Sequence, residues 1–167
     1  MMQRVILGAA CAAVLALTGC AHPDFIDLNS SPDAVAQSLG APDAVVPLPD
    51  GGERFVYSMQ PMSQQVWWLS FDQAGRLVSK ENVLDRKHFA LIKPGVSTER
   101  DVFSLFGKCA QTYEFALKNE HAWMYRFLDD GMFYMACWVQ FNTQGIVTEV
   151  GYTTDPWRDR DGSFWSL

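Results

Sequence analysis

The chain has 167 residues, 49% of them hydrophobic and 19% charged, with a formal net charge of −6. Such a length suits one ordinary domain or two small ones with a shared core. The acidic balance offers no electrostatic hold on nucleic acid or anionic lipid, which argues against both as partners. In chain order, the first feature is Arg4 followed by an apolar run from Val5 to Leu17. That run is too short to span a bilayer and has the length of a cleaved export signal.

The residues that end it, Leu17-Thr18-Gly19-Cys20, resemble the close of a bacterial lipoprotein signal. In that family a small residue precedes an obligatory cysteine that is acylated and becomes the first residue of the mature chain. The resemblance therefore implies lipidation of Cys20 and removal of residues 1–19. The alternative is an ordinary signal peptide with an incidental cysteine. Loss of the segment removes Arg4 and no acidic residue, so the mature chain is more acidic still. Membrane attachment would then rest on acyl chains, several of which on one cysteine hold far more firmly than a single reversible anchor. Ala21 comes next, where an aspartate commonly retains lipoproteins at the inner membrane. Alanine there implies the outer membrane, its periplasmic face, and a short lipidated tether over 20–27.

With Cys11 in the signal and Cys20 taken by lipid, Cys109 and Cys137 remain in an oxidising compartment. A disulfide is the economical expectation, and closing that loop would stabilise the fold by about 3 to 4 kcal/mol. The alternative is two buried free thiols.

Beyond the tether the chain matches itself. Ser31-Pro32-Asp33-Ala34-Val35 through Leu39-Gly40 aligns with Thr98-Glu99-Arg100-Asp101-Val102 through Phe106-Gly107. Phe55-Val56-Tyr57 aligns with Trp123-Met124-Tyr125, and Trp68 through Gly75 aligns with Trp138 through Gly145. Three blocks in one order argue for tandem structural units, over 28–90 and 91–156, followed by a tail over 157–167.

Each unit opens with a short helix whose ends are written locally. Ser31 or Thr98 is the N-cap and Gly40 or Gly107 stands just past the C-terminus. Val35 and Leu39, like Val102 and Phe106, sit one turn apart and form an apolar stripe. Alternating, aromatic-rich runs follow, expected as antiparallel strands near 44–48, 53–59, 65–72 and 76–83, then 111–117, 121–128, 133–142 and 146–153. The expected fold is α+β, with two tandem helix-plus-antiparallel-strand units forming one continuous antiparallel sheet and the helices packed on one face.

Ile92, Gly95, Thr98, Val102, Phe106 and Gly107, with Trp123-x-Tyr125 and Phe141-x-x-x-Gly145, resemble the SmpA/OmlA lipoprotein family. Its best-known member is the small lipoprotein of the outer-membrane β-barrel assembly machinery. The first half repeats the run more weakly, with no glycine where Gly95 would fall. Two such units in tandem also resemble the secreted β-lactamase inhibitory proteins, in which helices back a continuous sheet whose concave face grips an enzyme. Both resemblances speak to fold more than to function.

Strand alternation separates the sheet faces. The expected bridge orients them: Cys109 follows the second helix, so Cys137 should face the helices with Val139 and Phe141, as should Trp67, Leu69 and Phe71 in the first unit. The opposite face then receives Trp68 and Trp138, with Tyr134, Ala136 and Gln140, and Arg54 and Arg126 in reach. A sheet covered on one side normally alternates to polar residues on the other. Tryptophan there suggests a contact surface for a protein partner, with Trp68, Trp138, Tyr134, Arg54 and Arg126 as its residues. The alternative is that a loop or the tail from Trp157 to Leu167 covers them.

No catalytic arrangement emerges. His22, His88 and His121 lack ligand spacing, no Gly-x-Ser-x-Gly elbow or phosphate loop is present, and the acidic stretch from Asp155 to Gly162 does not fit a calcium loop. No cofactor or metal is implied. The sequence is thus read as a non-catalytic, outer-membrane-anchored binding or scaffold module of the cell envelope. An inhibitor of a periplasmic hydrolase and a binder of a small apolar ligand or lipid are the alternatives.

Overall fold

The computed structural model describes residues 21–117 and 119–159. The signal segment, Cys20 and residues 160–167 of the tail lie outside the described residues.

The first unit comprises a 3-10 turn Pro23–Phe25, helix α1 (Pro32–Leu39) and strands β1 (Ala44–Pro47), β2 (Glu53–Ser58), β3 (Val66–Phe71) and β4 (Leu77–Asn82). A short helix α2 (Arg86–Phe89) leads to the second unit, which has helix α3 (Glu99–Phe106) and strands β5 (Gln111–Phe115), β6 (Glu120–Asp129), β7 (Phe133–Phe141) and β8 (Val147–Thr154). A last turn of helix, α4, spans Pro156–Asp159. Both sets of strands are antiparallel meanders in sequence order. Observed strand ends lie within two residues of those expected from alternation and turn chemistry.

Local chemistry accounts for the agreement. Ser31 caps α1 by accepting from the Ala34 amide, and Thr98 and Asp101 form a reciprocal capping box on α3. Gly40 at φ 85° and Gly107 at φ 62° end these helices in a conformation that L side chains avoid. The tyrosines at matching places on the second strand of each unit reach back to those caps. Tyr57 donates to the Gly40 carbonyl and Tyr125 to the Gly107 carbonyl, each at 2.9 Å. Both last hairpins carry a register shift at the same point, Ser70/Phe71 and Gln140/Phe141.

The assembly of these pieces differs from the expected one. The chain is mostly β, and its strands form two separate four-stranded sheets rather than one continuous sheet backed by helices on one face. Helix α1 covers one face of the first sheet, where Val35 packs with Phe55, Leu69, Phe71 and Leu77. Helix α3 does not lie beside it. It is interleaved between the sheets, with Phe106 against Tyr125 of the second sheet and its other side against β1 and β2 of the first.

The reason is the composition of the far face of the first sheet. Val56, Val66 and Val83 are apolar there, and each is fully buried in a cluster with Val102, Phe106, Phe127 and Phe141 from the second unit. Side-by-side sheets would have left those valines in water, at a cost of about 1.5 to 3 kcal/mol each. The layers therefore run α1, first sheet, α3, second sheet. The segment expected as a tether is docked at the α1 end, where the His22 ring meets the edge of Trp67 at 5.6 Å and Lys80 Nζ donates to the Ile26 carbonyl.

Cys109 and Cys137, expected as a disulfide, are not bridged in this structure and stand as free thiols. Cys109 Sγ lies 3.6 Å from the Thr112 hydroxyl, and Cys137 is buried beside Tyr152. Burial pushes both thiols above their ordinary pKa. At neutral pH neither is poised as a thiolate to attack a disulfide or an oxidant. Native protein should accordingly react slowly with a thiol reagent and release both thiols on unfolding in urea. Intact mass showing the loss of two hydrogens, with no thiol released, would contradict this assignment.

Candidate docking surface

The five residues expected to form one aromatic platform occupy three different settings. Trp68 is not on a free face. Its indole Nε1 donates to the Leu105 carbonyl at 2.6 Å, its ring stands edge-on to His88 at 5.2 Å, and the Arg54 guanidinium lies 3.7 Å above it. Both residues therefore belong to the joint between the units. Burial lowers the Arg54 pKa from its ordinary value, against the opposing charge of Glu81. His88 braces the same joint, with Nδ1 2.8 Å from Asp85 and Nε2 3.3 Å from Glu81.

Arg126 is buried rather than displayed. Its Nε donates to Asp155 Oδ2 at 2.8 Å, its Nη1 to the Pro61 carbonyl at 2.9 Å, and its guanidinium stacks on Trp157 at 4.5 Å. Strand β5 ends before this point of β6, and the Gln60 amide takes its place. Gln60 Nε2 donates to the Arg126 carbonyl and its Oε1 accepts from the Arg126 amide, as a strand residue would. Arg126 thus pins a loop of the first unit and the start of the tail to the second sheet.

Trp138 and Tyr134 remain on the outer face of the second sheet. Tyr134 is 38% exposed, with Arg158 stacked on its ring at 3.8 Å. Trp138 is half-buried, 5.0 Å from the Tyr113 ring, and its Nε1 donates to the Thr153 hydroxyl at 2.9 Å. The described part of the tail covers the other end of this face, where Trp157 Nε1 donates to Gln111. It leaves Trp138 beside an open groove.

That groove, of about 370 Å³, is lined by Phe115, Ala122, Trp138, Gln140, Glu149, Gly151, Tyr152 and Thr153. A second hollow of about 330 Å³ continues it along Phe115, Ala116 and Leu117. Phe115 is 41% exposed and Leu117 fully so. Gly151, paired with Trp138, has open space where a side chain would stand. The strand alternation of Gln111, Tyr113 and Phe115 was the available signal for the β5 side of this surface. The contribution of Gly151 needed the register of β7 with β8.

Among the described residues no group of three or more histidine, cysteine or acidic side chains could hold a metal ion. Nor is any described helix long and apolar enough to cross a membrane.

No protein-family model and no curated protein sequence matches the chain. Among solved structures it is similar to a DUF4309 family protein (YjgB) from Bacillus subtilis, at 14% identity and a TM-score of 0.31. The match covers 75% of this chain and 79% of that one.

Proposed function

We propose that the protein is a non-catalytic docking module of the cell envelope, held by lipid on Cys20 and binding another protein through the outer face of its second sheet. The observation that carries this is an apolar groove around Trp138, Phe115 and Gly151 on a sheet face that, among the described residues, only the start of the tail partly covers. Aromatic rings in such a position contribute large contact area for little side-chain entropy lost. Leu17 to Cys20 and the SmpA/OmlA-like run support the envelope setting, and Ala21 supports the outer membrane. Residues 22–26 dock at the α1 end of the stack, so an anchor on Cys20 would leave the groove at the end remote from the lipid.

The inhibitor alternative loses its support, because it drew on one continuous concave sheet and the sheets are separate. An open groove also buries a small ligand on one side only, which suits a protein surface better than a lipid.

Photo-reactive benzoyl-phenylalanine placed at Phe115 or Leu117 of the full chain in cells tests the reading. Cross-links to an envelope protein are expected from these positions and not from Val78, exposed on the first sheet. Palmitate incorporation should vanish in Cys20→Ala. Absence of cross-links from both groove positions, or equal cross-linking from Val78, would overturn the proposal.

A further inference from the structure

Resting on that reading, we infer that the occupant of the groove is an amphipathic α-helix of the partner protein, seated on the second sheet as α3 is seated on the first. The template is inside the molecule. The face of the first sheet that carries Trp68 is the repeat equivalent of the face that carries Trp138, since both residues stand at the same place in the third strand of their units. On the first sheet that face is covered by α3, whose Leu105 carbonyl accepts from the Trp68 indole. On the second sheet no helix among the described residues lies over Trp138, and its indole donates to Thr153 on its own sheet.

Dimensions and charge agree with a helix. Across the sheet from β5 to β8 is three strand spacings, about 14 Å, against a helix diameter of about 10 to 12 Å. The floor between them is Ala122, Gly151 and the face of Trp138, low enough for close approach. The charged residue of the lining is Glu149, which is exposed. The fitting helix therefore carries an aliphatic stripe at i, i+3/i+4 and i+7 with a lysine or arginine beside it.

A second copy of this chain does not supply that helix. Its outward helix is α1, and there Asp33, Gln37 and Ser38 are exposed, with Ser38 at the repeat position of Leu105. The stack is polar at the α1 end and apolar at the groove end, so it does not propagate.

The test maps where on the partner the cross-links from Phe115 and Leu117 land, by mass spectrometry of the cross-linked peptides. Partner residues spaced by three, four and seven, flanked by a basic residue, are expected. Gly151→Val should lower the cross-link yield about tenfold or more. A Cβ at Gly151 meets nothing within 4 Å and valine suits a strand, so the urea midpoint should not fall. Partner residues spaced by two, or confined to one loop, would overturn the helix and leave the docking surface standing. Cross-links to a second copy of this chain would overturn it as well. Undiminished yield in a folded Gly151→Val would overturn the assignment of the groove as the seat, and no cross-links at all would remove both this inference and the docking reading.

Discussion

Replacing Arg126 by methionine should destabilise the protein by about 3 to 5 kcal/mol, enough to lower Tm by about 10 °C. Asp155 is fully buried, and its Oδ2 accepts from Arg126 Nε at 2.8 Å while Oδ1 accepts from the Trp157 amide. Removing the guanidinium leaves that carboxylate in a poorly solvating interior with half of its partners gone. The cost comes mainly from the stranded charge rather than from the net worth of the pair. Urea unfolding of Arg126→Met, Asp155→Asn and the double variant separates the two. The double variant should be less damaged than the sum of the singles, because it removes the charge along with its partner. The Pro61 and Trp157 contacts are lost too, so α4 should become accessible to protease in Arg126→Met. A loss below about 1 kcal/mol would mean that the pair behaves as a surface salt bridge.

The second large effect is a contrast between two tryptophans. Trp68→Ala should cost about 3 to 5 kcal/mol, since it empties the joint between sheet and helix, strands the Leu105 carbonyl and strips Arg54 of its stacking partner. Trp138→Ala, at the equivalent repeat position, should cost about 1 kcal/mol and instead abolish cross-linking from Phe115. Denaturation midpoints and cross-link yields measured on both variants decide the matter. Equal destabilisation would show that Trp138 is also sealed within the fold, and undiminished cross-linking in Trp138→Ala would remove it from the binding surface.

The free thiols teach a related lesson. Even pairing in an exported chain favours a bridge as a matter of frequency. Yet Cys109 and Cys137 each have local company in Thr112 and Tyr152, and burial suppresses the thiolate that disulfide formation requires. Spacing along the chain carries no information about either circumstance.

Much of the architecture was legible in the residues alone, because it depends on neighbours a few positions away. The caps at Ser31 and Thr98, the left-handed glycines after each helix and the strand alternation act over one turn or one pleat, and they fix which side of a strand each residue points to. Trp68 and Trp138 are placed alike by those rules, and so are Arg54 and the residues around Arg126. What lies opposite a face is another kind of fact. It depends on which layer of the chain returns to cover it, and only the tertiary structure decided that α3 would sit between the two sheets, sealing Trp68 and leaving Trp138 at the open end. Burial is driven by the whole apolar area that a packing arrangement removes from water, and that sum is not a property of any local stretch of sequence.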